Sequence, residues 1–177
     1  MADNPLPRLV PIQIQLNHPI FQAICRWPFA DEFVGRLLAN DIPQRVKYGK
    51  GRIWVYRDPN QTVVGFGVID VCDDYRALTG DKSHPYIPLL AVNPANQGRG
   101  YGTFIVGHLI AEAALLAAQP NSECHDVLFL EAYTSSEKAI SLYERCGFAR
   151  LRNAPFFDQV AQKPYFVMTK RVNITAI

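Results

Sequence analysis

The stretch that decides the fold reads LLAVNPANQGRGYGT and covers residues 89–103. It begins as an apolar strand, passes through a loop with glycines at alternate positions (Gly98, Gly100 and Gly102), and ends where a helix starts. Glycine lets a backbone approach a ligand closely, and the first turn of a helix points unpaired N–H groups outward. The segment therefore predicts a pyrophosphate site. The structural alternative is a glycine-rich turn that only packs a helix against a strand.

Two familiar phosphate loops do not fit this segment. A Walker loop ends in Gly-Lys-Ser/Thr, which is absent here. A dinucleotide fingerprint needs a third glycine where Thr103 stands. The ligand is therefore expected to be held by a different kind of loop.

A second informative segment starts with the apolar strand Leu128–Tyr133 and continues as a helix that ends at Gly147 and Phe148. The 89–103 segment resembles the Q/R-x-x-G-x-G/A acetyl-CoA motif of GNAT N-acetyltransferases, and the second segment resembles that family's N-x-x-A-x-x-x-Y-x-x-x-G-F pattern. The matching residues are Pro94, Gln97, Gly100 and Gly102 in the first motif, and Ala139, Tyr143, Gly147 and Phe148 in the second. Ser136 departs from the pattern, because the family often has Asn there.

The resemblance implies an α/β (α+β) fold with a single mixed, mostly antiparallel twisted sheet flanked by helices, in which the fourth and fifth strands splay apart. It covers residues 62–151 best, and residues 1–177 are expected to form a single N-acetyltransferase domain. The hydrophobic periodicity gives the element order β, α, β, β, β, α, β, α, β, β. The predicted strands are Val10–Leu16, Arg52–Tyr56, Thr62–Val71, Tyr86–Val92, Val127–Tyr133, Phe148–Leu151 and Tyr165–Lys170. The second and third of these are predicted to form a hairpin, because the turn-forming residues 58–61 separate them. The predicted helices are Ala30–Tyr48, which contains the apolar residues Phe33 and Val34 and is broken or kinked at Pro43, Tyr101–Ala118, which stops at Pro120 and Asn121, and Ser135–Cys146.

The resemblance also implies acetyl-CoA as co-substrate and no metal. Backbone groups of Leu90, Ala91 and Val92 would bind the pantetheine arm in the manner of an added strand, and an N–H near Leu90 would face the thioester oxygen. The pyrophosphate would be held by amides of Gln97, Gly98, Arg99, Gly100, Tyr101, Gly102 and Thr103. Ser136 is the remaining candidate for cofactor binding, although serine lacks the amide that the family's Asn provides.

Tyr143 stands where the family keeps a tyrosine that protonates the leaving thiolate, so the resemblance implies a general acid there. The structural alternative is a core aromatic, since Ala139 and Cys146 share its helical face. A general base is not fixed by the sequence. Glu131 and His84 are candidates, and the alternatives are a strand residue on a solvated face for Glu131 and a surface loop residue for His84.

Composition limits the other function classes. The chain has 177 residues, 49% hydrophobic residues and a formal net charge of +2, which gives no basic footprint for avid nucleic-acid binding. The four cysteines show no zinc or redox spacing. No apolar stretch approaches the ~18 residues of a membrane span and no secretory leader is evident, so a cytoplasmic protein is expected.

The acceptor of the acetyl group stays open. In the family it is recognised by the first helices, the loop before the fourth strand and the connection between the last two strands, here residues 21–48, 72–83 and 153–163. The acidic residues Asp73, Asp74 and Asp81 either attract a cationic amine or are merely solvated. Phe156 and Phe157 either form the wall of a pocket or tether the loop. A small-molecule amine or a protein amine fits best, and aminoacyl-tRNA is an alternative because of a loose likeness to toxin-type GNAT enzymes. A non-catalytic acyl-CoA sensor is the alternative from another class, and a homodimer is allowed because family members often pair through their C-terminal strands.

Overall fold

The structure is a computed structural model that describes residues 8–28, 35–48, 51–80, 82–119 and 124–174. The chain forms two compact units, one from residues 1–70 and 89–105 and the other from residues 71–88 and 106–177. The expectation of a single domain stays a prediction.

The described strands are β1 (Val10–Ile14), β2 (Arg52–Arg57), β3 (Val63–Cys72), β4 (His84–Val92), β5 (Val127–Tyr133), β6 (Ala149–Arg150), β7 (Phe156–Asp158) and β8 (Lys163–Arg171). The α-helices are α1 (Pro19–Ile24), α2 (Ile42–Tyr48), α3 (Arg76–Thr79), α4 (Tyr101–Ala117) and α5 (Glu137–Arg145). A π-helical turn, Leu37–Asp41, leads into α2, and a 3-10 turn, Pro94–Asn96, precedes α4. The strand order of the sheet is β1-β2-β3-β4-β5-β8-β6, with β7 paired to β8.

The first unit is built on the antiparallel strands β1, β2 and β3. The hairpin between β2 and β3 is the one that the sequence predicts, and Asp58 forms its turn by accepting hydrogen bonds from the amides of Asn60 (3.0 Å) and Thr62 (2.9 Å). One face of these strands packs with α1 and α2 into a core of fully buried side chains. Its largest members are Ile24, Leu38, Ile42, Ile53 and Phe66.

In the second unit, β4 pairs with β5 in parallel and β5 pairs with β8 antiparallel. The β4–β5 pairing consists of Tyr86 with Phe129 and Ile87 with Leu130, as expected of strands that splay. β6 and β7 pair with the other edge of β8. The mixed, mostly antiparallel sheet that the resemblance implies is therefore confirmed.

Some predicted elements differ from the structure. Residues 72–83, predicted as a loop, contain α3, and residues 153–163 contain β7, whose three residues are too few to show an alternation in the sequence. Pro43 does not end the helical run, but the run changes from the π-helical turn Leu37–Asp41 to α2 immediately before this proline, which is an irregularity of the kind predicted there. The predicted apolar residues Phe33 and Val34 and the helix stop at Pro120 and Asn121 lie outside the described residues.

Gly65 in β3 is a residue that the sequence reading did not single out. A Cβ built on it would lie 2.5 Å from Cδ1 of Ile105 in α4 and 3.0 Å from the carbonyl oxygen of Ala91. Both distances are shorter than a carbon atom normally tolerates, so only glycine lets the start of α4 and the end of β4 pack against β3 here. Gly65 therefore helps to fix the 89–103 segment in the first unit.

We expect Gly65→Val to destabilise the fold by about 1 to 3 kcal/mol, the usual range for overpacking in a core. Thermal unfolding of the purified variant would show this as a drop of roughly 2 to 12 °C in Tm for a chain of this length. Gly35→Val is the control, since a Cβ at Gly35 has nothing within 4 Å. An equal Tm for the Gly65 variant and the unsubstituted protein would contradict the packing role.

Candidate active site

The loop of the first unit starts where β4 ends at Val92. The amide of Asn93 donates to the carbonyl of Val64 (2.9 Å), and the Asn93 side chain accepts from the amide of Ala95 (3.1 Å). This asparagine turns the chain away from the sheet and into the 3-10 turn. Gly98 and Gly100 then adopt positive φ angles of 79° each, a conformation that residues with a Cβ rarely take.

The start of α4 is the most distinctive feature of this loop. The helix has 17 residues, and its first described hydrogen bond runs from the amide of Phe104 to the carbonyl of Gly100 (3.3 Å). The amides from Gly98 to Thr103 have no hydrogen-bond partner among the described residues. They point from an exposed loop at the positive end of the helix dipole, which is the arrangement that binds phosphate groups. This geometry fits the pyrophosphate of CoA.

Gln97 has a different place from that of the other loop residues. Its side-chain Nε2 donates to the carbonyl of Val92 (3.4 Å), so the side chain closes the loop on itself. The first unit thus brings together Leu90 to Val92 and Gln97 to Thr103, the two backbone stretches predicted to bind the co-substrate.

The second unit holds the remaining predicted residues, Ser136 and Tyr143, on α5. This helix ends in a Schellman motif, in which the amide of Phe148 donates to the carbonyl of Tyr143 (3.0 Å) and the amide of Gly147 to that of Glu144 (3.0 Å). Gly147 supplies the left-handed φ of 86° that this motif needs. The rings of Tyr143 and Phe148 meet edge to face at 6.0 Å, which completes the hydrophobic contact of the motif. The spacing Y-x-x-x-G-F therefore has a structural cause.

Tyr143 is buried, with 8% of its surface exposed. Burial, and to a lesser extent the charge of Cys146, raises the pKa of Tyr143 to about 12. The phenol is thus protonated at any physiological pH and can donate a hydrogen bond. The ring of Tyr143 also packs on Phe148, as expected of a core aromatic. This packing involves the ring only, so it is compatible with a catalytic role for the hydroxyl.

Ser136 occupies the N-cap of α5, yet its side chain makes no capping hydrogen bond. The backbone alone starts the helix, since the carbonyl of Ser136 accepts from the amides of Ala139 (2.9 Å) and Ile140 (3.0 Å). The hydroxyl also has no partner elsewhere in the described chain. It is therefore available to a ligand.

Glu131 and His84, the two candidate bases, differ sharply in their surroundings. Glu131 is exposed on β5, and the hydroxyl of Tyr75 donates a hydrogen bond to its carboxylate. His84 is fully buried between the rings of Tyr75 (5.5 Å) and Phe129 (4.4 Å). The reading of His84 as a surface loop residue is therefore wrong, since it begins β4.

Burial lowers the pKa of His84, with Asp74 and Asp73 opposing that effect. Neither ring nitrogen has a hydrogen-bond partner among the described residues. Tyr75, which the sequence reading did not single out, has a pKa well above its usual range, because it is buried and hydrogen-bonded to Glu131. Its signal in the sequence is only an aromatic residue among polar ones in a loop.

The acidic residues before β4 are engaged with their neighbours. Asp73 accepts from the hydroxyl of Ser83 (2.6 Å) and pairs with Arg76 (2.9 Å), while the thiol of Cys72 donates to Asp74 (2.9 Å). Asp81 lies outside the described residues. Asp73 and Asp74 therefore stabilise their own loop and do not form an open acidic patch.

The described ranges lack two other features, a metal-ligating cluster and a membrane-spanning helix. They contain no group of three or more His, Cys, Asp or Glu side chains arranged to hold a metal ion. Likewise, none of the helices there has the length and the apolar character that crossing a membrane would require.

Solved structures of similar fold are N-acetyltransferases. Spermidine N-acetyltransferase from Vibrio cholerae, in complex with CoA and spermine, aligns with a TM-score of 0.65 at 14% identity over 93% of this chain and 95% of its own. The ribosomal-protein-S18-alanine N-acetyltransferase from Escherichia coli aligns with a TM-score of 0.65 at 16% identity over 95% and 96%. A chain of the NatC complex bound to Gag peptide and CoA gives 0.62 at 20% identity over 94% and 99%.

The family assignment rests on the sequence itself. A comparison with curated proteins gave no match. The model of the acetyltransferase (GNAT) family, however, matches residues 15–148, which is well over half of the chain and includes both motifs. The chain therefore belongs to the GNAT acetyltransferase family and is an acetyl-CoA-dependent acyltransferase.

Proposed function

We propose that this enzyme transfers the acetyl group of acetyl-CoA to a primary amine by direct attack of the amine nitrogen on the thioester carbon. The observation that carries the proposal is the row of unpartnered amides from Gly98 to Thr103 at the start of α4. These amides would hold the pyrophosphate, and backbone groups of Leu90, Ala91 and Val92 would bind the pantetheine arm.

The reaction makes a C–N bond and breaks the C–S bond, so one proton must leave nitrogen and one must reach sulfur. A backbone N–H near Leu90 would stabilise the developing negative charge on the thioester oxygen, an effect of about 3 kcal/mol in other enzymes. Tyr143 would donate a hydrogen bond to the sulfur of the leaving group. Glu131 is our candidate for the base that accepts the proton from the amine nitrogen, because its carboxylate is exposed and accepts a hydrogen bond from Tyr75.

The role of Tyr143 follows from its pKa of about 12. Burial raises the pKa of this phenol above that of an ordinary thiol, so complete proton transfer from Tyr143 to a thiolate would be unfavourable. Tyr143 would therefore act mainly by donating a hydrogen bond to the sulfur as negative charge develops there. The general-acid assignment is retained in this form, with the proton finally supplied through the solvent.

The test of co-substrate binding is a thermal shift of the purified protein with acetyl-CoA, CoA and ATP. A ligand at 100 times its dissociation constant stabilises a fold by about 2.7 kcal/mol, which corresponds to a rise of roughly 5 to 11 °C in Tm for a chain of this length. We expect this rise with acetyl-CoA and with CoA, but not with ATP, which carries no pantetheine arm. An unchanged Tm for folded protein free of bound CoA would contradict the proposal.

Release of the CoA thiol in the presence of an amine panel then separates the enzyme from a non-catalytic acyl-CoA sensor. The panel should contain spermine, peptides with free N-termini, lysine derivatives and aminoacyl-tRNA. Acetyl-CoA binding without acetylation of any of these amines would favour the sensor.

A further inference from the structure

One face of the second unit combines aromatic side chains with charges at two separate places. The face is formed by alternate residues of β5 and β8 and by the segments that pack beside them. Its aromatic members pack into one cluster with Val167. Tyr86 and Phe129 are buried in this cluster, and Tyr75, Phe156 and Tyr165 are partly exposed and form its outer surface. We call it the aromatic face.

Glu131 marks one end of the aromatic face. It lies opposite Val167 across β5 and β8, and its carboxylate accepts the hydrogen bond from Tyr75. The ring of Tyr75 stacks on Phe129 at 5.0 Å and 8°. An exposed carboxylate beside partly exposed aromatic side chains suits an ammonium group, which gains an ion pair and can also contact an aromatic ring.

Arg152 marks the other end. Its guanidinium lies 3.6 Å from the centre of the Phe156 ring, and Phe156 stacks on Tyr165 at 5.6 Å. Two backbone carbonyls, of Ala154 (3.1 Å) and Pro155 (3.4 Å), accept hydrogen bonds from it. Stacking and these bonds fix the orientation of the group.

The charge of Arg152 is not matched by a carboxylate. Arg76, Arg150 and Arg171 each have an acidic partner within 3.6 Å. No acidic residue in the described ranges comes within ion-pair distance of Arg152. A fixed guanidinium without a counter-charge is suited to bind an external carboxylate.

Other charges near this face are already used. Asp158 accepts hydrogen bonds from the hydroxyl of Tyr133 (2.8 Å) and from the amides of Val160 (2.9 Å) and Ala161 (2.9 Å). Lys163 is opposite Asp158 in the register of β7 and β8, and its ammonium group lies 5.5 Å from the centre of the Tyr133 ring. The face therefore offers one carboxylate to a cation, which disfavours a polyamine with several positive charges.

The strand register gives the spacing between the two ends. Glu131 pairs with Val167, and Phe156 pairs with Tyr165, two residues further along β8. Two inter-strand steps of about 4.8 Å and two residues of about 3.3 Å place the Cα atoms of Glu131 and Phe156 about 12 Å apart. An extended peptide spans this distance in three to four residues. Burial raises the pKa of Tyr165. The charges of Glu131 and Asp158 raise this pKa further, whereas the charge of Arg152 lowers it, so the Tyr165 phenol is within electrostatic reach of both ends of the face.

From this geometry we propose that the acceptor is the N-terminal α-amine of a peptide chain that carries an acidic side chain at about its third residue. The ammonium group lies at Glu131, the peptide runs extended over the aromatic face, and the acidic side chain pairs with Arg152. Arg152 is thus a specificity-determining residue. This inference rests on the proposed function, since it names the acceptor of the same acetyl transfer.

The test uses the full-length enzyme, acetyl-CoA and three heptapeptides with a free N-terminal alanine that differ only at the third position, which is glutamate, glutamine or lysine. Thiol release gives kcat/KM for each peptide, and mass spectrometry locates the acetyl group. We expect the glutamate peptide to exceed the glutamine peptide by about 10-fold and the lysine peptide by about 100-fold, the effect of one fixed charge pair gained or reversed. Arg152→Gln should remove this ranking, and Arg152→Glu should reverse it.

Arg150→Gln is the matched control. Arg150 also stacks on an aromatic ring, that of Phe166 at 4.2 Å, but it pairs with Glu144 at 3.1 Å. Its loss should leave the ranking of the three peptides unchanged. A structural effect of losing any stacked arginine would instead lower kcat/KM for all three peptides alike.

Three results would overturn the inference while leaving the proposed function intact. These are equal rates for the three peptides, faster acetylation of spermine than of the glutamate peptide, and acetylation of aminoacyl-tRNA with all peptides inert. Absence of acetyl transfer to every amine, together with no thermal shift by acetyl-CoA, would instead reject the proposed function itself.

Discussion

Tyr143→Phe should lower kcat for acetyl transfer by about 100-fold, while the dissociation constant for acetyl-CoA stays within about threefold of its original value. The substitution removes one hydroxyl and keeps the ring, so the edge-to-face contact with Phe148 and the end of α5 are preserved. What is lost is the hydrogen bond to the sulfur, which strengthens only as the C–S bond breaks. An interaction made in the transition state appears in kcat and not in binding.

The measurement is a steady-state thiol-release assay at saturating acetyl-CoA, with the dissociation constant obtained separately by calorimetry. Tyr56→Phe is the control for deleting a buried tyrosine hydroxyl, because Tyr56 is fully buried in the first unit and packs on Phe104 at 6.2 Å. This control variant should keep kcat within about twofold even if its Tm falls. An unchanged kcat for Tyr143→Phe would make Tyr143 a core residue only, positioned by the Schellman motif.

The sequence predicted the parts of the fold that depend on local patterns. The long helix α4 was visible because Ile105, Leu109 and Ala113 repeat at helical spacing, and all three are fully buried. The hairpin of β2 and β3 was visible because its turn residues separate two β-branched runs. The parallel pairing of β4 with β5, in contrast, followed from the family resemblance, since residue spacing gives no pairing between strands so far apart in the chain.

The parts that were missed depend on tertiary contacts. Gly65 looks like any glycine in a strand until the distance from its absent Cβ to Ile105 is known. Tyr75 and Glu131 are 56 positions apart, and only the folded chain brings the phenol to the carboxylate. For His84, the alternative of a surface loop residue is wrong, because the folded chain encloses it between Tyr75 and Phe129. Burial of this kind cannot be inferred from the identity of the neighbours in the chain.

The structure gives several residues of the two matched motifs a part in the fold itself. Gln97 belongs to the matched motif, yet its side chain closes the loop by bonding to Val92 and does not extend from it. Gly147 and Phe148 are part of the second motif for a structural reason, since they end α5. A motif match therefore does not by itself assign the role of each side chain, and the predicted site residues stay a prediction.

Gly100→Val is expected to raise the dissociation constant for acetyl-CoA by about 100-fold or more. Gly100 has a φ of 79°, and it precedes the first residue of α4, where the unpartnered amides lie. A branched side chain would strain the left-handed backbone and would cover the amides that bind the pyrophosphate. Hydrogen bonds to a charged group contribute about 1.5 to 3 kcal/mol each, so losing one or two of them corresponds to a factor of about 10 to 10⁴ in affinity.

Calorimetry with acetyl-CoA and with dephosphorylated pantetheine thioester separates the two ways in which this substitution could act. The pantetheine thioester lacks the pyrophosphate and should bind more weakly than acetyl-CoA. If Gly100→Val removes only the phosphate contacts, the variant and the unsubstituted protein should have the same dissociation constant for this thioester. Gly80→Val controls for backbone strain, because Gly80 also has a positive φ, 69°, with open space around it but far along the chain from α4. The Gly80 variant should show a similar loss of stability and an unchanged dissociation constant for acetyl-CoA. If both variants bound acetyl-CoA as tightly as the unsubstituted protein, the glycine loop would be only a packing turn, and the pyrophosphate would have to be held elsewhere.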